Sequence, residues 1–189
     1  MDATTLVSVE QYLSSVYEPD CDYVDGEIED RNVGEKDHSK LQFKVQMLLS
    51  RVAGISIFPE VRIRVAPTRY RAPDVAVYLT EPSEQVFTTP PFLVVEILSP
   101  EDRWSRLTRK LEDYFAMGCP NIWILDPVQS KAYRYEGEAV CEVHNAFRST
   151  DSRIILQLPD IWPWSITNHV SGGRGGLSSL WINRQGAYN

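Results

Sequence analysis

No apolar, uncharged stretch of this chain approaches the roughly 18 residues that a membrane-spanning helix requires. The opening residues, MDATTLVSVEQYL, have acids where a signal peptide needs a basic region, so a cytoplasmic protein is expected. Cysteine is scarce. Cys21, Cys119 and Cys141 are far apart, odd in number and in no CxxC arrangement, which argues against both a disulfide framework and a thiolate zinc site. They read as reduced thiols. Basic residues are missing altogether from residues 1–30, which hold nine acids, while the other 159 residues carry 19 Lys and Arg against 17 acids. The net charge of -7 is therefore concentrated at one end, and the remainder can still present a basic surface to phosphate. Internal repeats are also absent.

What the 189 residues do have is 43% hydrophobic and 24% charged composition, enough apolar material for one sizeable core and too much for a disordered chain. One domain over residues 1–170 is expected, followed by a flexible Gly- and Ser-rich tail over 171–189. Ser8-x-x-Gln11 resembles a capping box ahead of a short helix with Val9, Leu13 and Val16 at helical spacing. Asp25-Gly26 marks a turn between short strand-like stretches containing Tyr23, Val24 and Ile28. Leu41, Val45, Leu48, Leu49 and Val52 share one face of a helix over 39–53 that Gly54 ends. Strand-like runs cover 56–65, 73–79, 92–98, 121–126 and 132–135. Between the third and fourth, the residues from Trp104 to Met117 form a helix with Trp104, Leu107, Leu111, Tyr114 and Phe115 on one face, closed by Gly118 and Pro120. This order predicts an α/β (α+β) fold, a central mixed β-sheet flanked by helices.

The chemistry starts from Phe92-Leu-Val-Val-Glu-Ile-Leu, an apolar run with one carboxylate in its middle. A lone buried carboxylate costs several kcal/mol or neutralises, so Glu96 needs a cation partner, either an arginine in a plain internal ion pair or a metal ion. Asp74 follows Pro73 at the start of another apolar strand. If the two strands are neighbours, Asp74 and Glu96 converge at one end of the sheet and make an oxygen-rich site suited to Mg²⁺ or Mn²⁺; a turn-capping role is the plainer alternative for Asp74. Lys110, at the margin of the helix's buried face, can lay its stem over the sheet and bring its ammonium to the carboxylate end. Residues 61–72 hold Arg62, Arg64, Arg69 and Arg71 and no acid, and residues 103–110 hold Arg103, Arg106, Arg109 and Lys110 and no acid. Two basic stretches beside two carboxylates fit a site for a phosphodiester, against the alternative of a solvated charged face.

At this point a resemblance enters. Pro73-Asp74, Glu96 followed by Leu98-Ser99-Pro100, then Lys110-x-x-x-Tyr114-x-x-x-Gly118-x-Pro120 and Trp123-Ile-Leu-Asp126-Pro127 look like the restriction-endonuclease-like proteins of the PD-(D/E)xK nuclease superfamily, a bacterial group. The similarity takes in Tyr23-Val-Asp-Gly26-Glu27 and His38 and spans roughly residues 8–165. It implies a restriction-endonuclease-like αβββαβ core. It also implies Asp74 and Glu96 as metal ligands and catalytic groups, Glu27 as a third acid of the site, and Lys110 in place of the lysine that the superfamily usually puts two residues after the glutamate, where Leu98 stands here. His38 precedes the main helix in both, with its role open between general base, substrate contact and structural histidine.

Together these imply an Mg²⁺- or Mn²⁺-dependent DNA endonuclease, with Arg64, Arg71, Arg103, Arg106 and His38 as candidate substrate contacts. A homodimer is allowed and not dictated. The alternatives are an inactive nuclease-fold protein that binds nucleic acid or acts in assembly, and a two-carboxylate glycosidase. The second leaves Lys110 and the arginines without a task.

Overall fold

The structure, a computed structural model, describes residues 6–18, 20–31, 35–100 and 103–162, so the expected tail over 171–189 lies outside the described residues. The chain begins with α1 (Val9–Ser14), capped by the Ser8 hydroxyl accepting from the Gln11 N–H, and continues into the hairpin β1 (Cys21–Val24) and β2 (Glu27–Asp30). Helix α2 (Lys36–Leu49) follows, then β3 (Ser56–Phe58), β4 (Ile63–Ala66), β5 (Arg69–Arg71), β6 (Val75–Tyr78), β7 (Leu93–Ile97), α3 (Trp104–Met117), β8 (Asn121–Asp126) and β9 (Lys131–Tyr135). The described chain ends with β10 (Val140–Val143), β11 (Ala146–Arg148), β12 (Ile155–Gln157) and the short α4 (Leu158–Ile161).

The central sheet has the order β10-β9-β8-β7-β6-β3 and is mixed: β7 and β8 run parallel through the α3 crossover, and the other pairs are antiparallel. Within it, α2-β3-β6-β7-α3-β8 gives the αβββαβ order, with β4 and β5 as an excursion into a second sheet, β2-β1-β5-β4. Strand alternation decides what each helix covers. Leu93, Val95 and Ile97 of β7 pack with Leu41, Val45, Leu48 and Leu49 of α2, whereas Val94 packs with Leu107, Leu111 and Tyr114 of α3. Glu96, in phase with Val94, points toward α3. Among the described residues no helix is long and apolar enough to cross a membrane.

Three local expectations change. The run over 56–65 is two strands in two sheets, because Pro59 cannot donate to a ladder and Glu60 turns the chain through a left-handed conformation (φ 51°). Helix α2 starts three residues earlier and stops four earlier than the periodicity predicts, so His38 lies inside it and extends its buried face one turn toward the N-terminus. In α3, Trp104 and Phe115 are partly exposed (37% and 51%) and the buried set includes Lys110 and Asp113, because this helix is covered on two sides.

Candidate active site

The β6–β7 register pairs Val75 with Val95 and Ala76 with Val94, and its continuation sets Asp74 across from Glu96 on the α3 face. The Ile97 N–H donates to Asp74 Oδ2 (2.6 Å), and Gln42 of α2 donates to the Asp74 carbonyl (3.0 Å), so the acid is fixed at the strand end from two directions. Its other oxygen, Oδ1, accepts from Arg31 Nη2 (2.7 Å) and lies 3.4 Å from His38 Nε2. Glu96 Oε2 accepts from Lys110 Nζ (2.9 Å) and Oε1 from the Tyr114 hydroxyl (2.8 Å). Both carboxylates are at least 95% buried. They line a small polar cavity of about 40 Å³ with Arg31, His38, Ser99, Arg106 and Lys110, enough for a few water-sized occupants.

Behind Lys110 lies a second charged layer, supplied by the smaller sheet. The β1–β5 register pairs Tyr23 with Tyr70 and brings Asp22 beside Arg71, and Asp22, fully buried, sits 3.8 Å from Lys110 Nζ. Arg71, 1% exposed, spends its guanidinium on Asp113 (2.7 and 2.8 Å), Glu29 (2.9 Å) and Asp22 (3.2 Å). Glu29 also binds Arg109 (2.9 Å), and its carbonyl accepts from Arg106 (3.1 Å). Helix α3 thus presents Leu107, Leu111 and Tyr114 to the central sheet and Arg106, Arg109 and Asp113 to the smaller one. Lys110 occupies the seam between them.

Burial pushes the Glu96 carboxyl above its ordinary range, with Lys110 opposing and Asp74 reinforcing the rise. For Asp74 burial pushes the same way, yet the His38 hydrogen bond and the Arg31 charge outweigh it and hold the group low. Asp22 is held low as well: Lys110, Arg71 and the Ala72 N–H overcome its burial. Burial alone would lower Lys110, but Asp22 and Glu96 keep it raised and charged.

The structure therefore brings Asp74, Glu96, Lys110, His38 and Arg106 together. It does not bring Glu27, which is exposed and does not line the cavity. Glu27 lies one pleat repeat nearer the Asp25-Gly26 turn than Glu29, and the acid that reaches Lys110 is Asp22 on the neighbouring strand. Arg71, expected to contact substrate, is buried with its donors taken by three carboxylates. Arg64 and Arg103 are exposed and lie outside the cavity. Arg31, Asp22 and Tyr114 were not assigned roles from sequence. Tyr114 had a usable signal, since it sits one turn after Lys110 on the buried face; Arg31 and Asp22 had none, because each meets its partner only through tertiary register.

Residues 9–167 match the model of the Uma2 family, described as putative restriction endonucleases. The chain belongs to that family. A solved structure from Anabaena variabilis ATCC 29413, described as a putative nuclease belonging to DUF820, superposes with a TM-score of 0.69, covering 84% of this chain and 98% of its own. At 19% identity the likeness establishes the fold, a mixed sheet flanked by helices. No curated protein matches the chain. The description of the Uma2 family and that of the solved structure both speak of a putative nuclease activity.

Proposed function

We propose that this Uma2 protein is a divalent-metal-dependent nuclease acting on DNA, with Asp74 and Glu96 as the ion's carboxylate ligands. The observation that carries the reading is two buried carboxylates on adjacent strand ends, sharing one polar cavity with a charged lysine 2.9 Å from Glu96. Hard oxygens suit Mg²⁺ or Mn²⁺, and Mg²⁺ is commonly held through one or two carboxylates with retained waters. The raised Glu96 carboxyl fits the same ion, since an added cation would offset the crowding of like charge with Asp74. Among the described residues no group of three or more His, Cys, Asp and Glu side chains is arranged for a metal, so water or substrate oxygens would complete the shell. When bound, the ion would polarise the scissile phosphate and acidify a water.

The chain's own groups do the rest. Lys110, kept protonated by Asp22 and Glu96, places a compact positive charge at the cavity wall, suited to orienting a water and to stabilising charge that builds on a phosphate oxygen. Tyr114 fixes the orientation of Glu96. His38 fixes Asp74 and has its Nδ1 buried without a hydrogen bond, leaving one ring nitrogen uncommitted. Arg106, at the cavity wall, and the exposed Arg103 and Arg64 are the candidates for backbone phosphates. Reduced Cys21, Cys119 and Cys141 agree with a cytoplasmic setting.

A second reading, an inactive nuclease-fold protein that binds nucleic acid, is favoured by one observation: every carboxylate oxygen of Asp74 and Glu96 already has a protein donor. Purified protein incubated with plasmid, single-stranded DNA and RNA, in Mg²⁺, Mn²⁺ or EDTA, separates the two. Cleavage of DNA that EDTA abolishes and added Mg²⁺ restores supports the first; ion-independent binding without cleavage supports the second.

A further inference from the structure

Among the described residues Arg31 and His38 are the two cavity-lining groups on Asp74 Oδ1, and Arg31, at the shorter distance, is the permanently charged one. Its Nη2 lies 2.7 Å from Asp74 Oδ1, and its side chain is 13% exposed. The Asp74 oxygen it occupies is half of that ligand's coordinating capacity, because Oδ2 is committed to the Ile97 N–H at 2.6 Å. A divalent ion and the guanidinium therefore compete for one oxygen. Arg31 also has somewhere to go: its Nη1 is 4.0 Å from Glu60, a half-exposed acid outside the cavity that Gln42 holds through Oε1 (3.3 Å). Moving from Asp74 toward Glu60 takes the guanidinium off the carboxylate and toward solvent, since Glu60 is half exposed while Asp74 is buried. A planar fork of donors there matches a phosphate.

We propose that Arg31 is an internal counter-cation of Asp74 that a divalent ion displaces, and that the displaced guanidinium becomes a phosphate-binding group of the cleft. The proposal rests on Asp74 and Glu96 being the ion's ligands. It assigns the pair a purpose: Asp74 stays compensated, and the fold intact, until ion and phosphate arrive together. It also gives ion and substrate binding a positive coupling, because the ion frees a group that the substrate uses.

The test is isothermal titration of Mn²⁺ into the parent, Arg31→Gln, Arg31→Lys and Glu96→Gln proteins, with thermal melting to verify folding. A salt series of binding to a short DNA duplex, with and without Ca²⁺, goes beside it. Arg31→Gln is expected to bind Mn²⁺ about tenfold more tightly, the factor one charge-assisted hydrogen bond is worth, and to lose the gain in DNA affinity that the ion gives the parent. Arg31→Lys keeps the charge and is expected to hold Mn²⁺ affinity near the parent's. Mn²⁺ binding that Glu96→Gln abolishes but Arg31→Gln leaves unchanged or weakens would overturn the proposal and leave the metal site standing. Failure of the folded parent and of Arg31→Gln alike to bind Mn²⁺ would overturn both.

Discussion

Glu96 has Leu93, Val94, Val95 and Ile97 around it in a fully buried strand, so its two hydrogen bonds and its single close cation decide its state. Glu96→Gln keeps the shape, keeps an acceptor and copies the neutral form that burial favours. Stability within about 1 kcal/mol of the parent in urea is expected, with cleavage lost. Lys110→Met is different. It leaves Glu96 and Asp22 buried without their shared cation, which should cost about 3 kcal/mol. With the cation gone, Glu96 rises further, so the native state binds more protons than the unfolded one above the ordinary carboxylate range. The variant should then lose stability as pH rises toward neutral, which urea midpoints across that range would register. Both residues were legible in sequence for a physical reason: an acid inside an apolar run and a lysine on the margin of an apolar face each need an explanation. Asp22 was not, because it stands among Asp20, Asp25, Glu27, Glu29 and Asp30 with nothing local to single it out. The strand register selects it.

At the scale of elements, α3 is held between two sheets, by apolar packing on one side and by the Arg71 ion-pair cluster on the other. Arg71→Met should remove the cation that Asp22, Glu29 and Asp113 share, leaving each a single or more exposed partner in Lys110, Arg109 and Arg69, and destabilise by about 3 kcal/mol, and Arg71→Lys should recover little, since one ammonium cannot replace a fork that reaches three carboxylates. Denaturant midpoints would measure both. The expected effect on phosphate binding moves instead to Arg106, whose replacement by Ala should reduce the salt slope of DNA binding by about one counterion. Gly118 ends α3 at φ 102° with Pro90 at ordinary contact distance from a hypothetical Cβ, so Gly118→Ala should cost about 1 kcal/mol from backbone strain rather than from a clash. Helix α3 and strands β7 and β8 were readable from period and length. The break at Pro59 and Glu60 was not, because apolar residues continue on both sides of it, and β5 was hidden because residues 61–72 read as one basic stretch for phosphate rather than as a strand.

For the whole molecule, the buried carboxylates act in opposite directions on acidification. Between neutral pH and the ordinary carboxylate range, protonation of the raised Glu96 should stabilise the metal-free protein. Below that range the depressed Asp22 and Asp74 take up protons mainly on unfolding, so stability should fall through their low folded values. A melting-temperature maximum on the acid side of neutral is expected, and Glu96→Gln should flatten its rising limb, the remainder coming from His38, which despite burial its Asp74 partner raises. One measurement bears on this cluster most directly: the single-turnover rate of plasmid cleavage in Mg²⁺ by the parent, Glu96→Gln and Lys110→Met, each shown to be folded. Cutting by the parent, with both variants slower by about a hundredfold or more, is the result this account requires. Either variant cutting at the parent's rate would contradict it.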